Sequence, residues 1–180
     1  MMEAPGQPRR DSTEGAASRI VPKVKIPVAV VMSRRMVSRS GWTTASWRAV
    51  GIVAGQGLAD REAGAFPVHG AGDDEEQFLW RGLQLELHRD ASESYWSNLM
   101  AREPRLVVLC AERDDGLLEP LAVSADMHEA SAGIEGDRQV FATAIPPEVY
   151  LLIERFVVEY HTPARQHRRK RSRAERDAQR

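Results

Sequence analysis

Apolar and polar residues alternate strictly over Leu83–His88, and this short pattern constrains the fold of the chain more than any other feature. Its leucines point to one side, and Gln84, Glu86 and His88 point to the other. Strict alternation is the pattern of a β-strand that buries one face and exposes the other. The chain is therefore expected to contain a sheet with one solvated face.

Other segments have the composition of buried strands. They are short, rich in β-branched or apolar residues, and bounded by residues that favour turns. These predicted strands are Pro27–Met32, Trp47–Val53, Leu106–Ala111 and Leu121–Ser124. A further short strand is expected around Tyr95–Met100, after a turn over residues 92–98. Because Asp114-Asp115-Gly116 is a strong turn signal between two of these strands, the succession predicts an antiparallel meander.

Two helices are predicted after these strands. The longer one is expected to open at Pro146-Pro147-Glu148, since proline is tolerated in the first turn and an acidic residue there suits the helix dipole. Its apolar residues recur at helical spacing, at Val149, Leu152, Ile153, Phe156, Val157 and Tyr160. The shorter helix is expected to be capped by Asp126, with Glu129 three residues later, and to end at Gly133 and Gly136.

The predicted fold class is α+β, an antiparallel meander sheet of five or six strands with the C-terminal helix packed across it. A pleckstrin-like half barrel closed by that helix is the more specific alternative. We expect one domain over residues 26–161, with a flexible acidic insertion at residues 55–77. Residues 1–25 and 162–180 are expected to be a disordered N-terminal arm and a disordered basic tail.

Length and composition restrict the class of protein. A chain of 180 residues, of which 42% are hydrophobic, suits one globular domain with tails. No run approaches the roughly 20 apolar residues of a membrane span, and residues 1–25 lack the apolar core of a secretory signal. Cys110, the single cysteine, lies in an apolar run and is interpreted as a core residue. These features predict a cytoplasmic protein without membrane attachment.

Charge is divided by position along the chain. Residues 26–161 hold 12 basic and 21 acidic residues, whereas residues 165–180 hold eight basic and two acidic residues. An acidic domain with a basic tail is more typical of a binding protein than of an enzyme, because terminal charge runs usually act as solvated interaction arms.

No group of residues in the sequence requires catalysis. His88-Arg89-Asp90 matches the core of a kinase catalytic loop, but the asparagine expected five residues later is Tyr95. The histidines are scattered, and the glycines near residue 55 do not form a phosphate-binding motif. We therefore predict a non-enzymatic protein with no catalytic, cofactor or metal site. An unrecognised enzyme that uses His88, Asp90 and Glu93 is an alternative hypothesis.

Ser124, Asp126 and His128 lie close together in the sequence. Residues of adjacent turns do not provide the geometry in which a base is oriented by a third group, as a catalytic triad requires. Asp126 is therefore interpreted as a helix cap.

Partner binding is predicted for two regions. Trp42 follows Arg39-Ser40-Gly41 in a turn between strands and is the best candidate for an exposed ring among the four tryptophans. Exposed tryptophan and arginine are common hot spots of interfaces. The tail contributes Arg168, Arg169, Lys170, Arg171 and Arg173. The expected partner is an acidic protein surface, and one alternative is a solubilising arm or an arm that folds back on the acidic insertion at residues 55–77. Nucleic-acid binding through the tail is another, although no aromatic residue follows Tyr160 to stack on bases.

Several segments, taken in their order along the chain, resemble a known protein family. They are Pro27–Arg35, Trp47–Gly51, Leu83–Asp90, Tyr95–Leu99 and Ile145–Val149. Together they are similar to the small bacterial proteins of the domain of unknown function 3305 family, over residues 27–161. Members of that family often carry a basic C-terminus after the last helix, as this chain does.

The resemblance implies a role but no activity, because none is established for the family. Genes of the family tend to lie beside genes of molybdenum-dependent formate dehydrogenases. The resemblance therefore implies an accessory or adaptor protein of a formate dehydrogenase system. The implied partner is a subunit of that enzyme or one of its assembly factors.

Overall fold

The computed structural model of the chain describes residues 24–68, 74–135 and 138–161, and most of these residues lie in β-strands. Seven strands are found in the described residues: β1 Val24–Arg39, β2 Trp42–Ala54, β3 Gly64–Val68, β4 Glu75–Leu87, β5 Arg105–Glu112, β6 Leu118–Ser124 and β7 Gln139–Ala144. The helices there are α1 Ser92–Leu99, α2 His128–Glu135 and α3 Pro147–Tyr160. Short 3-10 helices at Gln56–Leu58 and Arg89–Ala91 complete the described elements.

The strands form one mixed sheet in the order β2-β1-β4-β6-β5-β7, with β3 paired to β4 off this path. Neighbouring strands are antiparallel except β4 and β6, which run parallel and meet at Leu85 and Val123. β2 and β7, at the two ends of the order, contact each other without forming a ladder. The sheet is therefore a nearly closed, barrel-like layer, and its order differs from that of the predicted meander.

The core lies inside the curved sheet and under α1 and α3. The alternation that was noted over Leu83–His88 is confirmed, since Leu85 and Leu87 are fully buried while Gln84 is exposed. On α3 the inward residues are Val149, Ile153, Phe156 and Val157. Cys110 is also fully buried, as predicted, and burial raises the pKa of its thiol to about 12.

The predicted strand around Tyr95–Met100 is wrong, because residues 92–99 form the helix α1. Tyr95 and Leu99 are spaced by four residues and both point into the core. The buried Asn98 lies beside them, and its side chain is hydrogen-bonded to the backbone of Arg105 and Ala125. The side chain of Asn98 therefore ties α1 to the sheet, so that a polar residue takes up part of the helix's inner face.

Both predicted helices are confirmed: α2 begins two residues after Asp126, and α3 begins at Pro147. Within residues 55–77, predicted to be a flexible insertion, residues 64–68 form β3 and residues 75–77 begin β4, while residues 69–73 lie outside the described residues. Val24 and Lys25 belong to β1, whereas the rest of the predicted N-terminal arm and the whole tail lie outside the described residues. Among the described helices, none is long and apolar enough to span a membrane.

Candidate functional site

A two-stranded hairpin extends beyond the rest of the sheet. The pairing of β1 with β4 stops at Arg35 and Glu75, but the pairing of β1 with β2 continues to Arg39 and Trp42. Asp74, which precedes β4, lies in a turn, so β4 does not accompany the hairpin further. We call residues 33–48 the ribbon, and residues 36–45 its free tip.

The turn of the ribbon explains its length and its register. Ser40 and Gly41 form a two-residue loop, and both have positive φ angles, of 50° and 84°. Positive φ at both central residues is the pattern of a type I′ turn, whose twist matches that of the flanking strands. Trp42 is therefore the first residue of β2, directly after the turn where the sequence placed it. Its side chain is 81% exposed.

The ribbon has two different faces, because residues that pair across the strands point to the same side. The first face carries Ser33, Arg35, Val37, Arg39, Trp42, Thr44, Ser46 and Arg48, and we call it the arginine face. The second face carries Arg34, Met36, Ser38, Thr43, Ala45 and Trp47. Exposed and half-buried residues alternate along β2, with the arginine face as the exposed side.

The ribbon is positively charged in an otherwise acidic protein. Residues 26–59 contain four arginines and no acidic residue. Two of these arginines are paired with acids of β4: Arg34 contacts Glu76 at 2.6 Å, and Arg48 contacts Glu75 at 2.7 Å. The other two, Arg35 and Arg39, have no ion-pair partner among the described residues.

The base of the ribbon is held by polar and aromatic contacts. Ser33 Oγ donates a hydrogen bond to the carboxylate of Glu75, and this bond together with that from Arg48 lowers the pKa of Glu75. The guanidinium of Arg34 lies 5.6 Å from the ring centre of Trp47 and 5.7 Å from that of Phe78. Contacts of this kind orient the base, while the tip beyond Arg35 remains solvated.

Shallow charged pockets flank the ribbon on both faces. One, of about 580 Å³, is lined by Arg34, Arg35, Met36, Ser38, Asp74 and Glu76. Another, of about 290 Å³, lies at the inner end of the arginine face and is lined by Ser33, Arg35, Ser46, Trp47, Arg48 and Glu75. Their linings are mostly polar and charged, unlike the apolar clefts that usually hold small organic ligands.

A second group of polar residues joins α1 to the start of α2. Ser94 Oγ donates to Asp126 Oδ1 at 2.5 Å, and the backbone N–H of His128 donates to the same oxygen at 2.9 Å. Both Asp126 and Ser94 contact the same nitrogen of His128, Nδ1, at 3.0 and 3.3 Å. In a catalytic triad the imidazole uses one nitrogen for each partner. This cluster is therefore a capping network, as predicted for Asp126.

Of the residues in the alternative enzyme hypothesis, Asp90 is exposed in the 3-10 helix Arg89–Ala91, and His88 and Glu93 contact different side chains. His88 Nε2 lies 3.7 Å from Glu86, whereas Glu93 pairs with His161 at 3.2 Å. His161 in turn stacks on Trp96, with ring centres 5.2 Å apart. Within the described part of the chain, no three His, Cys, Asp or Glu side chains are grouped as a metal site would need.

Of the predicted partner-binding residues, the structure describes Trp42 alone. The tail residues Arg168, Arg169, Lys170, Arg171 and Arg173 lie outside the described residues. Sequence reasoning did not single out Arg35 and Arg39, although two signals point to them. The dipeptide Ser40-Gly41 is a turn signal, and the acid-free run of residues 26–59 stands out from the acidic remainder.

Comparison with known proteins adds a family to these observations. Neither the curated proteins nor the solved structures contain a match to the chain. Residues 27–171 match the family described as protein of unknown function (DUF3305), and this range includes the whole ribbon, all three described helices and the first part of the basic tail. The match spans most of the chain, which confirms the resemblance seen in the sequence, and the protein belongs to the DUF3305 family.

Proposed function

We propose that the protein is a non-enzymatic adaptor that binds an acidic surface of a partner protein through the ribbon. One observation carries the proposal: Trp42, 81% exposed, lies at the end of a hairpin that carries four arginines. Residues 26–59, which include this hairpin, contain no acidic residue. Tryptophan and arginine are the residues that most often dominate binding energy at protein interfaces.

The charges of the ribbon favour a partner of opposite sign. Arg35 and Arg39 are already accessible and unpaired among the described residues, so a carboxylate on the partner would not have to displace an internal ion pair. Arginine binds carboxylates in a bidentate geometry that adds specificity as well as affinity. A fully solvated pair would contribute little, and the contribution of these arginines depends on Trp42 excluding water beside them.

The partner that we propose is a subunit of a cytoplasmic molybdenum-dependent formate dehydrogenase or one of its assembly factors. This part of the proposal comes from the family resemblance and its implied gene neighbourhood. An adaptor of this kind would present one docking surface to the enzyme while the domain behind it acts as a scaffold.

The test is co-purification of the tagged full-length protein from its native host. The wild-type protein is expected to recover a formate dehydrogenase subunit or assembly factor, and the Trp42→Ala variant about tenfold less of it, because truncating a hot spot costs at least about 1.4 kcal/mol. Val158→Ala is the matched control, since Val158 is also 81% exposed but lies on α3. Equal recovery by the Trp42→Ala and wild-type proteins would contradict the use of the ribbon.

Nucleic-acid binding through the tail is the second hypothesis, favoured by the eight basic residues of residues 165–180. It predicts sequence-independent affinity that falls steeply with salt concentration. A chain ending at His161 would then lose that affinity completely. Retention of nucleic acid by this shorter chain would count against the tail hypothesis.

A further inference from the structure

We infer that the partner contributes an extended acidic segment, which adds to the outer edge of β2 as a further strand. The inference rests on the proposed function and names the kind of partner surface that the ribbon recognises. It follows from the open edge of the ribbon, from the side chains along that edge and from their charge.

The outer edge of β2 has unpaired backbone groups in a regular pattern. β2 is the end strand of the sheet order, so only its inner edge pairs, with β1. In a hairpin with a two-residue loop, the first pair, here Arg39 and Trp42, is hydrogen-bonded, and such pairs alternate with non-bonded ones. The N–H and C=O groups of Thr43, Ala45 and Trp47 therefore point away from β1, toward the open edge.

This edge has few of the features by which proteins usually prevent strand addition, and its one charged side chain over residues 42–48 is Arg48. Edge strands are commonly protected by lysine, proline, bulges or a covering element. Residues 42–48 contain no lysine, proline, glycine or acidic residue, and their register with β1 is regular. The irregularity in this ladder lies further along, between Val31 and Met32. β7 contacts β2 without forming a ladder, and only Ile52 is buried among the residues of β2, so the outer edge of β2 keeps its backbone groups unpaired.

The side chains of the ribbon favour an acidic occupant. A strand added to β2 would place every second side chain on the arginine face, beside Trp42 and Arg48. Arg35 and Arg39 lie one strand further on the same face and are unpaired among the described residues. Backbone hydrogen bonds would supply affinity, and acidic side chains at alternate positions would supply specificity, as in other cases of strand addition.

Charge disfavours two other occupants, the basic tail and a second copy of the chain. The basic tail, with eight Lys and Arg between residues 165 and 180, would meet arginines of the same sign. If a second copy of the chain paired antiparallel along β2, the new ladder would contain Arg48 of both copies. Residues 42–48 of the second copy contain no acidic residue that could pair with these arginines. An acidic segment of a different protein is the occupant that satisfies both the edge and its charge.

The probe for this inference is a twelve-residue peptide of alternating threonine and glutamate, tested against the full-length protein by fluorescence anisotropy. A peptide of alternating threonine and lysine tests charge, and a threonine–glutamate peptide with every backbone nitrogen methylated tests the hydrogen bonds. We expect the first peptide to bind at least about tenfold more tightly than the other two. Hydrogen exchange at the amides of Thr43, Ala45 and Trp47 should slow when it binds.

The protein variants Ala45→Pro and Ala45→Thr form a matched pair. Proline removes the outward N–H at residue 45 and is tolerated on an edge strand, because this position makes no hydrogen bond to β1. Threonine keeps the N–H and suits a strand. We expect Ala45→Pro to bind the glutamate peptide about tenfold more weakly than wild type, and Ala45→Thr to bind it as wild type does.

The results separate this inference from the proposed function. Strand addition would be overturned if the methylated peptide bound as well as the unmethylated one, if the edge amides were not protected, or if the lysine peptide bound more tightly. It would also be overturned if no peptide bound, or if the protein formed a dimer through β2. Co-purification then tests the function itself. If Ala45→Pro retains the partner while Trp42→Ala loses it, the ribbon binds by its face and only the inference fails. If both variants retain the partner, the proposed function fails as well.

Discussion

At the scale of single residues, a tight steric constraint lies at Gly82 of β4, which is closely approached by Ala63, the residue before β3. Gly82 has a φ of +95°, and a Cβ atom there would lie 2.5 Å from the Cβ of Ala63 and 3.2 Å from its Cα. A residue other than glycine at position 82 would therefore have a strained backbone, and its side chain would clash with Ala63.

We predict that Gly82→Ala lowers the free energy of unfolding by about 2–4 kcal/mol, the sum of the left-handed backbone cost and the overpacking cost. Gly57→Ala is the control, since a Cβ atom at Gly57 would meet nothing within 4 Å beyond its own chain neighbours, and its φ lies outside the left-handed region. It should change stability by less than about 0.5 kcal/mol. Urea denaturation of both variants measures the difference, and an unchanged midpoint for Gly82→Ala would refute the close approach.

Asn98 is the buried polar residue on which the attachment of α1 depends. Its Nδ2 donates to the carbonyl oxygens of Arg105, at 2.8 Å, and Ala125, at 2.9 Å, while its Oδ1 accepts from the N–H of Arg105 at 3.1 Å. Asn98→Ala should destabilise the protein by about 2–4 kcal/mol, because it leaves several backbone groups without their partner. The exposed neighbour Ser97, changed to alanine, should have little effect in the same denaturation experiment.

At the scale of secondary-structure elements, Asp126 connects the beginning of α2 to α1. Burial alone would raise the pKa of Asp126, but hydrogen bonds from Ser94 and His128 outweigh it and leave the pKa below its usual value. A carboxyl group whose pKa is lower in the folded state stabilises the fold above its unfolded pKa, about 3.9, and loses this contribution as the pH falls through the folded pKa.

We therefore predict that Asp126→Ala costs about 1 kcal/mol of unfolding free energy at pH 6, as expected for the loss of a helix cap. The difference from wild type should become smaller at pH 3, where the carboxyl group is increasingly protonated. Guanidinium denaturation at both pH values measures it, with the exposed Asp60→Ala as control. A difference that is equal at the two pH values would show that the charge of Asp126 has no part in the effect.

Elements with a strong hydrophobic period were predictable from the sequence. The alternation at Leu83–Leu87 and the helical stripe of α3 appear where they were expected, since both bury one face against the core. α1 was not predicted, because the inner face of this eight-residue helix includes the polar residues Ser92 and Asn98. Their hydrogen bonds and burial depend on tertiary contacts, and so the local sequence shows only the strand-favouring residues Tyr95 and Trp96.

The candidate site was predictable only in part, and for a related reason. Trp42 was the best candidate for an exposed tryptophan, and it is exposed, but the sequence did not predict the length of the ribbon. The predicted first strand ended at Met32, because residues 33–39 are mostly polar and, from Arg35 onward, exposed or half-buried on both faces, and so have no apolar alternation. Pairing with β2 and the Ser40-Gly41 turn extend the strand there, and these are interactions between segments instead of properties of either segment.

At the scale of the whole molecule, charge separates the ribbon from the body. Residues 26–59 hold four basic residues and no acid, whereas residues 60–161 hold eight basic and 21 acidic residues. An acidic partner would thus be attracted at the ribbon and repelled by the rest of the domain. Such a distribution orients an approaching partner and acts on the association rate more than on the final affinity.

Salt dependence of binding tests whether this distribution has the effect that we expect. The association rate of the threonine–glutamate peptide should fall as sodium chloride rises from about 50 to about 500 mM, because the screening length shortens from above roughly 10 Å to below roughly 5 Å. The double variant Arg35→Gln/Arg39→Gln should associate several-fold more slowly at low salt and show a flatter salt dependence. Arg102→Gln/Arg155→Gln removes the same charge from exposed positions outside the ribbon and is the control. Stopped-flow measurement of both would decide the matter: equal losses would assign the attraction to net charge, and a loss confined to the ribbon variant would assign it to the arginine face.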